Sequence, residues 1–173
     1  MFEVGYKKAS VLCVCGFIFF LDILINVDHG ALPSASVVLK DDLNLSNVQF
    51  GSLGSLVFLG LVMGSVCATF MLNLFTFKTI LMFSFLGNGI GLLLFTATRE
   101  FYLMGLARFM SGFFQIFLTI YIPLYADQFG TPTSKPLMMS LILVAGPIGV
   151  VTGYGLTGIV VSYGYDWRIS FVV

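Results

Sequence analysis

Long uncharged stretches alternate along the chain with short polar breaks. A bilayer core about 30 Å thick is crossed by ~20 mostly apolar residues in helix. Five runs reach that length, at about 10–32, 48–72, 79–98, 102–126 and 136–162, with charged residues at most of their borders. Beyond Asp166-Trp167-Arg168 a further apolar stretch opens at Ile169 and is followed as far as Val173, which reads as the start of a sixth span cut short. The breaks carry their own signals. Ser46-Asn47-Val48-Gln49 is a capping box that opens the second span. The overlapping sequon Asn44-Leu45-Ser46 sits close to the membrane, so the cap is the favoured reading. Gly130-Thr131-Pro132-Thr133 marks a turn before the fifth span. The pattern predicts an all-α membrane protein of about five transmembrane helices plus the start of another.

Composition agrees. Of 173 residues, 58% are hydrophobic and 9% charged, and the mean hydropathy is +1.04. A soluble surface needs roughly 25% charged residues; lipid as solvent removes that need. Eight Lys and Arg balance eight Asp and Glu, so no basic excess points to nucleic acid. Cys13, Cys15 and Cys67 all lie inside apolar runs and read as structural thiols. Lys7 and Lys8 before an apolar run resemble a signal peptide, but Asp22, Asn26 and Asp28 follow without a cleavage site, so this segment is expected to stay as a helix. With the N-terminus in the cytoplasm, inner loops hold Lys7, Lys8, Lys78 and Lys135 against Lys40, Arg99 and Arg168 outside, a bias towards N-inside.

Several polar side chains interrupt the apolar spans. An ionisable residue at membrane depth costs roughly 2.5–3.5 kcal/mol on insertion scales. The first span nevertheless carries Asp22, Asn26, Asp28 and His29, and the fourth carries Arg108 and Gln115. At 100° per residue, Asp22, Asn26 and His29 fall within about 60° of one another, while Asp28 lies about 120° from Asp22. The first span therefore presents a polar stripe with one outlying carboxylate. Asp28 and Arg108 both fall roughly 8–9 Å from the outer ends of their spans. Opposite charges at one depth predict an ion pair, direct or through His29. Such a pair either fixes helix packing or lines a cavity and changes partner or protonation during a cycle; His29 titrates nearest neutral pH in model peptides.

The fifth span holds Gly146-Pro147-Ile148-Gly149, then Gly153, Gly155 and Gly158. Gly149 and Gly153 share a face and permit close backbone approach, and Pro147 removes one helix hydrogen bond. The expectation is a smooth, bendable helix that either slides against a neighbour or packs statically upon it. Gly60 with Gly64 and Gly87 with Gly91 repeat the four-residue spacing.

Three of these elements, in order, resemble the major facilitator superfamily (MFS) of transporters: Arg108-x-x-x-Gly112 on the fourth span, Gly146-Pro147-x-Gly149-x-x-x-Gly153 on the fifth, and Asp166-Trp167-Arg168-x-x-Phe171 leading into a sixth. The resemblance covers essentially the whole chain and implies the N-terminal half of a twelve-helix fold built from inverted three-helix repeats. Within the superfamily, Asn26-Val27-Asp28-His29 and Ala31-Leu32-Pro33 resemble the end of the first helix in Spinster-like transporters, with His29 where Arg is usual. That likeness implies lipid or other amphiphilic substrates and proton coupling. The chain also departs from the pattern. The break at 73–78 keeps Lys78 alone of the usual charges, with Asn73 near the position of the Asp, and Gln115 stands near where many Spinster-like proteins carry Glu.

These readings predict a secondary transporter of a small organic or amphiphilic solute. Asp28, His29 and Arg108 are the candidates for coupling or substrate contact, Asp22, Asn26 and Gln115 for lining a cavity, and Gly146, Pro147, Gly149 and Gly153 for a mobile surface. The expected partners are the lipid bilayer, a small-molecule substrate and a C-terminal six-helix half on the same or another chain; no cofactor or metal is expected. A non-transporting membrane subunit that keeps the fold is the alternative. An enzyme is disfavoured, because the single His stands in no cluster with ligand or nucleophile spacing. The chain carries no readable organelle address, which leaves the membrane open, with the plasma membrane and an endolysosomal membrane as the candidates.

Overall fold

The computed structural model describes residues 8–132 and 134–172, with the backbone alone at 8–12, 72, 73, 77 and 172. Lys7, the side chains of Lys8 and Asn73, Thr133 and Val173, all used in the sequence reading, lie outside the described residues. Among the described residues seven helices follow one another: α1 (Lys8–Ser34), α2 (Ser36–Leu43), α3 (Asn47–Leu74), α4 (Phe77–Ala97), α5 (Phe101–Phe129), α6 (Lys135–Ser162) and α7 (Ile169–Val172). Five of them, α1, α3, α4, α5 and α6, are long and apolar enough to cross a membrane.

The local signals act as their chemistry requires. Ser46 Oγ accepts from the Gln49 N–H while the Gln49 side chain accepts from the Ser46 N–H, a reciprocal cap on α3. Pro33, Pro123 and Pro147 all lie inside helices that continue through them. Pro33 has no N–H to offer the carbonyl four residues back, that of His29. The short helix α2 is an addition to the expected plan. It continues from α1 almost without a break, through Ala35 N–H to the Ala31 carbonyl and Leu39 N–H to the Ala35 carbonyl. It forms because Ala35 and Leu39 are wholly buried against Phe95 and Trp167, which holds the chain on the bundle after α1 has ended.

The packing is reciprocal. α1 lies along α6, α3 lies along α5, and α4 lies on the other side of α5. The first helix of each triplet (α1-α3-α4 and α5-α6-α7) therefore packs on the second helix of the other. Both crossings use the same device. A Cβ on Gly153 would strike the Val27 carbonyl, and one on Gly30 would strike the Val150 carbonyl. In the second crossing Gly112 faces the Val57 carbonyl and Gly60 the Phe109 carbonyl. Each glycine follows by three residues the carbonyl that its helix offers in exchange. Without side chains at these points the backbones approach closely, the small-residue packing that association in lipid favours.

Much of the surface is apolar: Phe58, Phe70, Phe83, Leu143 and Val151 are all more than half exposed. In a bilayer that exposure has no hydration penalty, so the spans bury only part of their apolar surface against one another.

Candidate functional site: a buried ion pair between α1 and α5

α5 is the span with the largest buried share, and it turns Met104, Ala107, Arg108, Ser111, Gln115 and Leu118 inwards. Arg108 is 1% exposed and Asp28 6%. Arg108 Nη1 donates to Asp28 Oδ2 at 3.0 Å, a direct ion pair between helices. The guanidinium also stacks over Phe95, 4.0 Å from the ring centroid, and stands 5.0 Å from that of Phe171. A planar, weakly hydrated cation suits such a site better than an ammonium does. Phe95, Trp167 and Phe171 meet edge to face and close the aromatic side.

The pair is incompletely satisfied. Asp28 Oδ1 and Arg108 Nε and Nη2 are buried and find no hydrogen-bond partner among the described residues, nor does Ser111 Oγ one turn further along α5. A bidentate Arg–carboxylate pair would use both oxygens; this one uses a single bond and leaves three strong hydrogen-bonding atoms at full desolvation cost. Buried groups of this kind mark either strain or a place where another polar group binds.

One turn and two turns beyond, the arrangement changes. Gln115 Nε2 donates to the Ile25 carbonyl at 3.0 Å, and Gln115 Oε1 lies 3.0 Å from His29 Nε2. Since the amide oxygen only accepts, His29 Nε2 carries hydrogen. Asn26 turns to its own helix, donating to the Asp22 carbonyl at 2.8 Å and to Asp22 Oδ1 at 3.2 Å. Its Cβ packs where Gly149 leaves room, and Gly146 faces its amide more loosely.

The single polar stripe of the sequence reading therefore divides. Of the helices that touch α1, α5 and α6 take different members of the stripe. His29 goes to α5 and Asn26 to the α6 crossing, while the outlying Asp28 meets Arg108. Gln115 and Arg108 are packed in the interior rather than facing an open cavity. Sequence reasoning missed Phe95 and Ser111 as parts of the site, since one Phe among 19 and one Ser carry no signal of their own. It also missed the link at the end of the bundle near α2, where Asp42 accepts from Trp167 Nε1 at 3.2 Å and pairs with Arg168 at 3.0 Å. The Trp167 hydrogen bond, then Arg168 and the charge of Arg99, hold the Asp42 carboxyl below its ordinary range. On the far side of Ile25 an apolar cleft of about 200 Å³ opens between α1, α4 and α5, lined by Phe17, Ile18, Leu21, Leu81 and Leu118 among others.

A family model described as the Major Facilitator Superfamily matches residues 12–173. The chain belongs to the Major Facilitator Superfamily. No curated protein and no solved structure matches it. As an MFS chain it is an integral, multi-pass membrane protein of a family of transporters. The reciprocal packing of α1 on α6 and α3 on α5 is the relation that inverted three-helix repeats of this superfamily produce. Arg108 and Gly112 of the helix-four motif serve two different ends here: the arginine meets α1, and the glycine, one turn on, seats α3.

Proposed function

We propose that the chain forms one half of a secondary transporter that moves a small organic or amphiphilic solute by alternating access, with a second six-helix half closing the other side. The observation that carries this reading is the half-satisfied Asp28–Arg108 pair. A packing device would reach its lowest energy with both carboxylate oxygens and the remaining guanidinium nitrogens bonded. Here the unused atoms stay buried, so a polar group of the solute, or a rearranged Asp28, gains hydrogen bonds that the present packing lacks. Proton coupling fits a membrane interior that holds Asp22, Asp28 and Arg108 together with His29. The apolar cleft beside Ile25 supports the amphiphilic class, as does the resemblance of 26–33 to Spinster-like proteins. Orientation with the N-terminus in the cytoplasm places Asp28 and Arg108 towards the outer side.

The test is uptake by the full-length protein in proteoliposomes, from a panel of labelled single-chain amphiphiles and small organic acids, with an imposed pH gradient. Asp28→Asn and Arg108→Ala are each expected to lower the initial rate at least about tenfold. Unchanged uptake in both variants sinks this assignment of roles.

A second reading, a non-transporting subunit that retains the fold, draws on the connection between α3 and α4. Phe75 and Thr76 alone separate these helices, and the Thr76 hydroxyl pairs with that of Thr79 at 2.9 Å in place of a charged latch. Stable assembly into a larger complex with no uptake of any panel member favours it.

A further inference from the structure

We propose that Asp22, rather than Asp28, is the group that binds the coupling proton, an assignment that rests on the transport reading above. Helix α1 carries two buried carboxylates six residues apart, about 9 Å along its axis. They have opposite surroundings. Asp28 is compensated by Arg108 at 3.0 Å. Adding a proton to it would strand the guanidinium in the core without a counter-charge. Asp22 is equally buried, and its side-chain partner is a neutral amide, that of Asn26.

Among the described residues no other cation pairs with it from α6, α5, α7 or α2, which pack against α1, nor from α4 across the apolar cleft, whose one cation, Lys78, is exposed at its first turn. Along α6 the only charged residue is Lys135 at its first turn, and Lys135 pairs with Asp127. Along α5 the only cation is Arg108, already held by Asp28; Tyr102, Tyr121, Tyr125 and Asp127 are its remaining ionisable groups. Tyr154 is the other ionisable side chain on α6. Helix α7 has none. Lys40, Asp41 and Asp42 on α2 stand at the opposite end of α1, with Lys40 bonded to Asn47 and Asp42 to Arg168. On α1 itself, Cys15 lies two turns along the same face, buried against Ala126 and Met138, with Cys13 exposed and His29 bonded to Gln115. An ionised Asp22 thus has no charge to offset its lost hydration. The chain closes over it with a proton bound, and opening to water allows the proton to leave.

The fold also links this group to the crossing expected to move. Asn26, which holds Asp22, sits where Gly149 of α6 packs on the Ile23 carbonyl and the Asn26 Cβ, two residues from Pro147. Displacing α6 along α1 shifts Asn26 and exposes or covers the carboxylate beside it. In each cycle one proton passes from water to an Asp22 carboxylate oxygen on one side of the membrane. The same proton returns to water on the other, leaving the carboxylate ionised while exposed.

Infrared spectroscopy of the purified protein in lipid nanodiscs tests this without any solute. At pH 7 the wild type is expected to show the carbonyl stretch of a protonated carboxyl. That band is expected to vanish in Asp22→Asn, persist in Asp28→Asn, and move in position in Asp22→Glu, which retains the carboxyl should the Asn variant fold poorly. A band unchanged in Asp22→Asn, one lost only in Asp28→Asn, or no band in the wild type overturns the assignment. Because the readout needs no transport, a band that follows Asp22 supports the proton site even if every solute of the uptake panel fails.

Discussion

The crossings of α1 with α6 and of α3 with α5 are built on one backbone plan and filled with different chemistry. In both, two glycines receive two carbonyls from the facing helix, Gly30 and Gly153 with Val150 and Val27, Gly60 and Gly112 with Phe109 and Val57. Around the second crossing, Phe109, Phe113, Phe114 and Phe117 form a run of aromatic contacts over Ala68 and Ile80. Around the first lie Asn26, Asp22 and Pro147. Close backbone approach is a property of the glycines; whether the contact is a fixed joint or a movable one is decided by what surrounds them. An apolar aromatic wall has many dispersion contacts to lose on sliding. A polar crossing beside a proline has fewer, and one backbone hydrogen bond is already missing there. Arg108 with Asp28, and Gln115 with His29 and Ile25, join the two crossings across α5 and α1.

The largest effect is expected from cutting that seam. Arg108→Ala leaves Asp28 buried and unpaired and should cost about 3–5 kcal/mol, read as lost thermal stability in detergent. Combining it with Asp28→Asn should recover most of the loss. A double variant as unstable as Arg108→Ala would mean that stacking on Phe95, not the charge pair, holds the seam.

Next come the crossings themselves. Gly112→Ala and Gly153→Ala each place a Cβ against a backbone carbonyl and should lose up to about 3 kcal/mol, to a similar extent, whereas Gly155→Ala meets nothing and should be neutral. If the Gly153 variant alone is tolerated, the crossings differ in tightness as well as in lining. Disulfide trapping across Val27 and Val150 is expected to slow uptake, and the same bridge across Val57 and Phe109 to leave it unchanged.

Gln115→Leu removes the hydrogen bonds to His29 and to the Ile25 carbonyl, roughly 1 kcal/mol each. It should lower stability less than Arg108→Ala does, and His29→Gln should lower it less again.

The smallest effect belongs to the end of the bundle. Asp42→Asn weakens the link from α2 to Trp167 and Arg168 and should cost about 0–1 kcal/mol. Because the folded state holds this carboxyl below its ordinary value of 3.8, the contribution is complete above that pH and fades as pH falls through the lower folded value. The difference in melting temperature between wild type and Asp42→Asn is therefore expected to be constant from neutrality to the ordinary value and to close below it. A difference that grows on acidification contradicts the paired Asp42.

Much of the fold was legible before any coordinate. The five apolar runs are the five spans, within a few residues, because lipid demands length and apolarity of every crossing helix. The Ser46–Gln49 cap was equally plain, being contained within four residues. The α2 helix was not. Its eight residues include Lys40, Asp41 and Asp42 and read as a polar break, and it exists because Leu39 reaches a core made of α4 and the Trp167 segment.

For the site, the sequence by itself determined which residues had to find partners: Asp22, Asp28, Arg108, Asn26, His29 and Gln115 have no good environment facing lipid. It also placed Asp28 and Arg108 at one depth, since rise per residue is a local property. Only the tertiary structure decided who meets whom. Helical periodicity gives each side chain an angle on its own helix, but the partner depends on which neighbours flank that helix. Flanked by α5 and α6, α1 shares its stripe between them, and that division pairs one of its buried carboxylates with an arginine and leaves the other beside an amide.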